Sequence, residues 1–230
     1  MTRTKICCMK TLDDAQLAIR AGASAVGLVS EMPSGPGMIP ESLIAEIARS
    51  VPPPIGRFLL TSQKDPQKIV GQHARCGVNT IQICDRLPLG GIETLRESLP
   101  GVSLVQVVHV INEESVAEAL DFARLVDALL LDSGNPSLAV KELGGTGRTH
   151  DWSISAQIVA QADIPVFLAG GLNPENVGAA IERVRPFGVD VCSGVRTDGK
   201  LDEAKLVQFL AAVRTADLGT AEHDEQGHFD

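Results

Sequence analysis

The chain has 230 residues, of which 44% are hydrophobic and 21% are charged. This composition supplies enough apolar side chains for a large core and excludes a disordered chain. The formal net charge is −9, from 20 Lys and Arg against 29 Asp and Glu, which disfavours general binding to nucleic acid or to an anionic membrane surface. Only 3% of the residues are aromatic, so a stacking platform for single-stranded nucleic acid is not expected.

The sequence also bears on compartment and metal content. No apolar run reaches the roughly 18 residues that a membrane span needs, and the N-terminus runs directly into a strand-like segment rather than a secretory signal, so we expect a cytoplasmic protein. The five cysteines are odd in number and irregularly spaced, which disfavours a disulfide framework. No Cys-x-x-Cys or His-x-x-x-His pair occurs, so no metal site is expected.

Short apolar segments alternate along the chain with amphipathic segments of helical period. The apolar segments, which we predict to be strands, are residues 5–8, 25–30, 55–61, 80–84, 103–110, 128–132, 165–169 and 189–193. Most of them are apolar at nearly every position, which is typical of a parallel sheet whose faces are both covered by helices. The predicted helices after the first are residues 40–50, 65–76, 91–98, 113–124, 151–161, 173–184 and 202–215.

Helix-capping residues support two of these helix starts. Thr11 precedes the first helix, with Asp14 three residues later, which is a capping pattern. Gly22 suits the C-terminal end of the same helix. Asn173 followed by Pro174 predicts that the seventh helix begins at this point.

Eight strand–helix pairs within about 215 residues predict an α/β fold, a single-domain (β/α)₈ TIM barrel over residues 1–215. A doubly wound open sheet is the alternative, but it usually has fewer units. The longest loop, residues 133–150, has a length that is often functional. Residues 216–230 include acidic side chains but no Lys or Arg, which predicts a polar, disordered C-terminal tail.

Three glycine-rich stretches follow strands at the end of the barrel where active sites lie. Glycine lets backbone N–H groups approach a phosphate closely, and barrels commonly bind phosphate after strands seven and eight. Each stretch taken alone could be a tight turn, but three at one end favour a phosphate site. The predicted phosphate-binding residues are Gly145, Thr146, Gly147, Gly170, Gly171, Ser193 and Gly194.

Two strand-end residues could supply acid–base chemistry. Asp132 ends an apolar strand, where partial burial could adjust its pKa for acid catalysis; a carboxylate that caps a loop is the alternative. Cys7 ends the first predicted strand region, where a free cysteine is more commonly a small buried apolar residue. On opposite sides of one barrel mouth, the two could act as acid and base across a sugar.

Five segments follow one another in a specific pattern: Lys5-Ile-Cys7, Leu131-Asp-Ser133, Gly144-Gly-Thr-Gly147 followed by Asp151-Trp152, Ala169-Gly-Gly-Leu-Asn-Pro-Glu-Asn-Val177, and Gly188-Val-Asp-Val-Cys-Ser-Gly194. This pattern resembles the phosphoribosylanthranilate isomerases of the tryptophan pathway, in order and spacing, from residue 5 to about residue 214. The C-terminal half carries the stronger part of the resemblance.

The resemblance implies an Amadori rearrangement of a phosphorylated small molecule without metal or cofactor. In that reaction an acid protonates the ribose ring oxygen, the ring opens to a Schiff base, and a base removes the proton from the sugar C2. By position, the resemblance makes Cys7 the general base and Asp132 the general acid. Lys5 lies two residues before Cys7 and is expected to point the same way along the strand.

The chain departs from the family pattern in its N-terminal half. The family usually has glycine after the base cysteine, where this chain has Cys8, which a regular strand would point away from Cys7. The family arginine that holds the anthranilate carboxylate is replaced by Gly37. After strand four, Gln-Leu-His-Gly is replaced by Gln82-Ile-Cys-Asp85. A related isomerase of another phosphoribosyl-amine or phosphosugar, or a non-catalytic phosphometabolite-binding barrel, therefore stays open.

Three further residues are candidate substrate contacts. Arg57 lies inside an apolar strand and, if it points into the mouth, could replace the missing arginine as a carboxylate clamp. An ion pair with a helix acid such as Glu46 is the alternative. Gln82 lies within the fourth predicted strand and His109 lies at the end of the fifth, where a core histidine is the more common alternative. The oligomeric state cannot be predicted from these patterns.

Overall fold

A computed structural model of the chain describes residues 1–134 and 149–226, with side chains up to residue 219. Eight parallel strands close into a barrel in the order of the sequence, and the first strand pairs with the last. The strands are β1 Arg3–Ile6, β2 Ala25–Val29, β3 Gly56–Thr61, β4 Thr80–Ile83, β5 Ser103–His109, β6 Ala128–Asp132, β7 Val166–Leu168 and β8 Gly188–Val191. This arrangement confirms the predicted TIM barrel.

Helices follow the strands and cover the outside of the barrel. They are α1 Leu12–Ala21, α2 Glu41–Ser50, α3 Pro66–Cys76, α4 Gly91–Ser98, α5 Glu114–Ala123, α6 Trp152–Gln161, α7 Val177–Val184 and α8 Glu203–Gln226. A 3₁₀ turn over Ser193–Val195 follows β8 and leads into a short hairpin, β9 Arg196–Thr197 with β10 Lys200–Leu201. None of the helices in the described residues is long and apolar enough to cross a membrane.

The helix ends show where the capping residues act. The Thr11 side chain accepts a hydrogen bond from the Asp14 N–H at 3.0 Å, and Gly22 ends α1 in a left-handed conformation, as predicted. The Asn173 side chain accepts from two backbone N–H groups, but residues 174–176 form a turn and α7 begins only at Val177. The predicted start of this helix was therefore three to four residues early.

The end of the chain differs from the predicted polar tail. Helix α8 passes residue 215 and continues to Gln226, because its next turn still packs on the barrel. Ala216 is buried, and the Asp217 carboxylate accepts hydrogen bonds from the N–H and hydroxyl of Thr2. Residues 227–230 lie outside the described residues.

Side chains along each strand alternate between the helices and the barrel interior. The outer faces form the larger core cluster with the helices, and the interior holds a second cluster of mostly small or aliphatic side chains. Phe58 and Phe167 pack edge to face with ring centroids 6.0 Å apart, and the Lys5 ammonium lies 5.3 Å from the Phe58 ring centre. This apolar floor leaves the opposite end of the barrel for a site.

Candidate active site

A cavity lies where the strands reach their C-terminal ends, and it encloses about 640 Å³, part of it open to solvent. It brings together residues from both ends of the sequence, including Cys7, Gln82, Asp132, Gly170, Gly171 and Ser193. The proposed base, the proposed acid and part of the proposed anion site thus face one cavity. The arrangement fits acid–base chemistry on a phosphorylated molecule.

Cys7 is held at the mouth by the strand that precedes it. Its N–H donates to the Val191 carbonyl at 2.8 Å, which continues the pairing of β1 with β8, and its side chain is buried. A Cβ atom added at Gly27 would lie 2.8 Å from the Cys7 Sγ and 3.2 Å from the Lys5 Nζ. Thiol and ammonium therefore approach the same point, and only glycine at position 27 leaves room for both.

Lys5 forms a buried ion pair directly below the mouth. Its Nζ donates to the Asp190 Oδ1 at 2.8 Å, with the Lys5 side chain fully buried and that of Asp190 9% exposed. Burial disfavours the charged ammonium, but attraction to Asp190 and to the neighbouring cysteines outweighs it, so the pKa of Lys5 is raised. Lys5 therefore stays charged beside Cys7. The sequence predicted that the Lys5 side chain points the same way as that of Cys7, but it gave no indication of the ion pair with Asp190.

Asp132 ends β6 and is buried at the cavity wall. Burial raises its pKa, an effect that the hydrogen bond from the Ser133 N–H at 2.7 Å and the proximity of His109 only partly oppose. The raised pKa favours the protonated carboxyl, which is the form that a general acid needs. His109 is paired in register with Asp132, and burial lowers the pKa of its ring.

The loops after β7 and β8 form the part of the cavity wall that lies between the ends of β6 and β1, and so between Asp132 and Cys7. Gly170 and Gly171 adopt φ values of +84° and +65°, a left-handed conformation that glycine adopts readily. Gly194 lies so close to the Leu172 carbonyl that a Cβ atom would come within 2.0 Å of it. We call Gly170, Gly171 and Ser193 the anion wall. The other predicted phosphate residues, Gly145, Thr146 and Gly147, lie outside the described residues.

The segment after Cys7 does not continue as a strand. Cys8 has φ +62°, a left-handed value, and its side chain joins the barrel-interior cluster. The expectation that Cys8 points away from Cys7 was therefore wrong, because β1 ends at Ile6. The Cys8 Sγ lies 2.7 Å from the Cys192 Sγ. Arg196, which sequence reasoning missed, donates its guanidinium N–H groups to the carbonyls of Cys7, Cys8 and Cys192.

Cys8 also explains the glycine at position 37. A Cβ atom at Gly37 would lie 2.4 Å from the Cys8 Cβ, and Gly37 has φ +85°. A side chain at position 37 would thus collide with Cys8 in this backbone. Cys8 stands where the family has glycine and Gly37 where it has arginine, and the Cys8 side chain fills the space that a side chain at position 37 would need.

The candidate substrate contacts differ in position. Arg57 precedes the inward-facing Phe58, so it points outward, where its Nη1 donates to the Ala48 carbonyl of α2 at 3.4 Å. The proposed clamp role of Arg57 was wrong for this reason, and the ion pairs of the described residues include none between Arg57 and Glu46. Gln82 lines the cavity, whereas His109 is buried behind it.

Comparison with known proteins bears directly on this geometry. The chain matches the family model for N-(5'-phosphoribosyl)anthranilate (PRA) isomerase over residues 4–212. The chain belongs to this family. The PRA isomerase match covers the eight barrel strands except for Arg3, the first residue of β1, and it confirms the resemblance inferred from the five sequence segments.

Relatives and solved structures agree with the family assignment. N-(5'-phosphoribosyl)anthranilate isomerase 2 of Methanosarcina mazei is 38% identical over 210 residues, which are 90% of this chain and 92% of that protein. The crystal structure of phosphoribosyl anthranilate isomerase from Thermotoga maritima is 33% identical, with a TM-score of 0.80 over 94% of this chain and all of that one. A PRA isomerase structure in complex with reduced 1-(o-carboxyphenylamino)-1-deoxyribulose 5-phosphate is 30% identical, covers 94% of this chain and 100% of that one, and has a TM-score of 0.78.

Proposed function

We propose that this protein catalyses the Amadori rearrangement of N-(5-phosphoribosyl)anthranilate to 1-(2-carboxyphenylamino)-1-deoxyribulose 5-phosphate. The observation that carries the proposal is that Cys7 and Asp132 line one cavity together with the anion wall. Family membership supports the same reaction, and the related structure that holds a reduced product analogue shows which ligand such a barrel accommodates.

Asp132 is the general acid in this proposal. Its burial raises its pKa, so a larger fraction of the carboxyl is protonated near neutral pH than for an exposed aspartate. The protonated carboxyl donates its proton to the ribose ring oxygen, the C1–O bond breaks, and the nitrogen lone pair forms the Schiff base. The Ser133 N–H, which bonds Oδ1, holds the carboxyl in a fixed orientation at the cavity wall.

Cys7 is the general base. The thiolate is the reactive form of cysteine. The buried Lys5 ammonium lies beside Cys7, and Asp190 keeps the lysine charged and in place. The thiolate removes the C2 proton of the Schiff base, the resulting enolamine tautomerises to the ketose, and the apolar floor below excludes water from the reacting atoms.

The anion wall is proposed to bind the substrate phosphate. Left-handed residues such as Gly170 and Gly171 direct backbone N–H groups at an anion without needing a charged side chain. The Asn176 side-chain amide donates to the Gly171 carbonyl at 3.0 Å, which fixes the loop. Phosphate held at this wall places the ribose between Cys7 and Asp132, on the side where both side chains reach it.

A second candidate function follows from the side of the cavity where a substrate carboxylate would lie. No Lys or Arg of the described residues lines the cavity itself, where neutral Ser34 and Gln82 lie on the side away from the anion wall. A family arginine is replaced by Gly37, whose space Cys8 fills. This observation favours a phosphoribosyl-amine whose aglycone lacks a carboxylate, as the alternative substrate of the same acid–base pair.

Complementation tests the proposal most directly. Expression in a tryptophan auxotroph that lacks this isomerase should restore growth without tryptophan, and Cys7→Ala and Asp132→Ala should each abolish that growth. Cys76→Ala, at the end of α3 and outside the cavity, is the matched control. No growth with the soluble wild-type protein, followed by turnover of a phosphoribosyl-amine without a carboxylate, would support the second function instead.

The proposal includes a cytoplasmic location. The five cysteines are all free, which is typical of proteins in a reducing compartment. Fractionation of cells that express the tagged protein at its natural level should recover it with cytoplasmic enzymes.

A further inference from the structure

Two cysteines outside the proposed acid–base pair meet at the cavity. Cys8 lies in the segment after β1 and Cys192 follows β8, yet their Sγ atoms are 2.7 Å apart. Both are free thiols, whereas a disulfide has an S–S distance of about 2.05 Å. We propose that Cys8 and Cys192 form a redox-active dithiol, a modification site at which low-molecular-weight disulfides close a disulfide beside the anion wall. This goes beyond the isomerase function.

The local backbone brings the two sulfur atoms together at some cost. Cys8 adopts φ +62°, a left-handed conformation that is unfavourable for a residue other than glycine. The Arg196 guanidinium holds this segment by donating to the Cys8 carbonyl, and it also donates to the Cys192 carbonyl at 3.3 Å. One side chain thus fixes both halves of the thiol pair, which limits the movement needed to form the bond.

The two thiols are suited to different steps. Cys192 is half-buried and lines the cavity, so a small disulfide can reach it from solvent. The hydrogen bond with Cys8 and the nearby Arg196 lower the pKa of Cys192 despite its burial, which favours the attacking thiolate. Cys8 is buried and its pKa is raised, chiefly by the hydrogen bond with Cys192. Cys192 is therefore the entry thiol and Cys8 the resolving thiol.

The exchange balances without another reactant. The Cys192 thiolate attacks one sulfur of the disulfide RSSR, a Cys192–S–S–R bond forms, and RS⁻ leaves and takes a proton from water. Cys8 then loses its proton to solvent and attacks the Cys192 sulfur, which releases the second RS⁻. Two protein thiols are oxidised to one disulfide, and one RSSR is reduced to two RSH.

Formation of the Cys8–Cys192 disulfide would displace two parts of the proposed active site. Cys8 directly follows the proposed base Cys7, and Cys192 directly precedes Ser193 of the anion wall. Cys8 also packs against Gly37 in the loop after β2. Drawing the two sulfur atoms to bonding distance shifts the base and the phosphate-binding loop together, and a displacement of about 1 Å can cost on the order of 100-fold in rate.

Peptide mapping tests the pairing without reference to activity. The full-length protein is incubated with oxidised glutathione, alkylated and digested with trypsin. We expect a disulfide-linked pair of peptides, residues 6–10 with residues 184–196, and a protein mass lower by two hydrogen atoms. Cys7→Ser should keep this link, whereas Cys8→Gly and Cys192→Ser should abolish it. Cys76→Ala should leave it unchanged.

The functional readout compares oxidised with reduced protein for each variant. Oxidation should lower the wild-type isomerase rate at least about tenfold, dithiothreitol should restore it, and Cys192→Ser should show an oxidised-to-reduced ratio near one. A link through Cys7, no link at all, or a linked enzyme with unchanged rate would overturn the proposal. Peptide mapping does not require isomerase activity. A protein without that activity would therefore contradict the proposed function, while the peptide map would still show whether Cys8 and Cys192 form a disulfide.

Discussion

Replacing Lys5 by methionine separates its part in the buried ion pair from the proposed effect of its ammonium on Cys7. Lys5→Met keeps the length of the side chain but leaves the Asp190 carboxylate, 9% exposed, without the cation 2.8 Å away. Breaking a buried ion pair by removing one partner costs about 3–5 kcal/mol. The free energy of unfolding, measured in urea, should fall by that amount. Lys5→Met combined with Asp190→Asn removes both charges and should recover most of the loss, because a neutral pair is often no less stable.

The kcat of these two variants should not follow their free energies of unfolding. Both variants lack the cation beside Cys7, so kcat should fall about 100-fold in each. The measurement is kcat for the wild type and the two variants. If the double variant regains the wild-type kcat, Lys5 acts only through stability. If Lys5→Met leaves the free energy of unfolding unchanged, the ion pair does not contribute as the structure indicates.

The remaining predictions concern charge, space and orientation. Asp132→Asn should lower kcat by about 10²–10⁴-fold. It should also raise the free energy of unfolding at pH 7, because burial raises the pKa of Asp132 and so disfavours its charged form. This gain in stability should vanish below about pH 4, where the unfolded carboxyl is also protonated, and a loss of stability at pH 7 would contradict the prediction. Burial lowers the pKa of His150 to about 4, so stability should fall as pH drops from 6.5 towards 4, and urea unfolding of His150→Gln should show a smaller fall. Gly37→Arg should lower the melting temperature through its collision with Cys8 and through the strain of a side chain at φ +85°. Added Cys8→Gly should recover the part due to the collision; equal effects in both backgrounds would refute the collision. Arg57→Ala should leave KM unchanged in steady-state kinetics, since Arg57 points towards α2.

The sequence predicts the strand–helix alternation because each element has a local signal. Buried parallel strands are apolar at nearly every position, and residues such as Thr11 and Gly22 mark helix ends by hydrogen bonding and backbone conformation. Cys7 and Asp132 could be placed at one mouth because the carboxyl ends of all barrel strands share one face. These inferences need the order of elements and no side-chain detail.

The same apolar pattern hides which way each strand residue faces. In β3 the inward residues are Phe58 and Leu60, but alternation cannot be seen in a segment that is apolar on both faces, so the orientation of Arg57 was not predictable. Cys8 was misjudged because β1 ends two residues before it. Arg196 was missed because it acts on backbone carbonyls far away in the sequence, and no local pattern records such partners.

The seam between the first and last strands has a consequence for how the protein is made. Cys7 pairs with Val191 through its backbone, and Arg196 donates to the carbonyls of Cys7 and Cys8. Chains emerge from the ribosome N-terminus first, so Cys7 is synthesised long before its partners Val191 and Arg196. A nascent chain that stops short of β8 therefore lacks these partners of Cys7 and Cys8, and this side of the cavity can form only after residue 196 has left the ribosome.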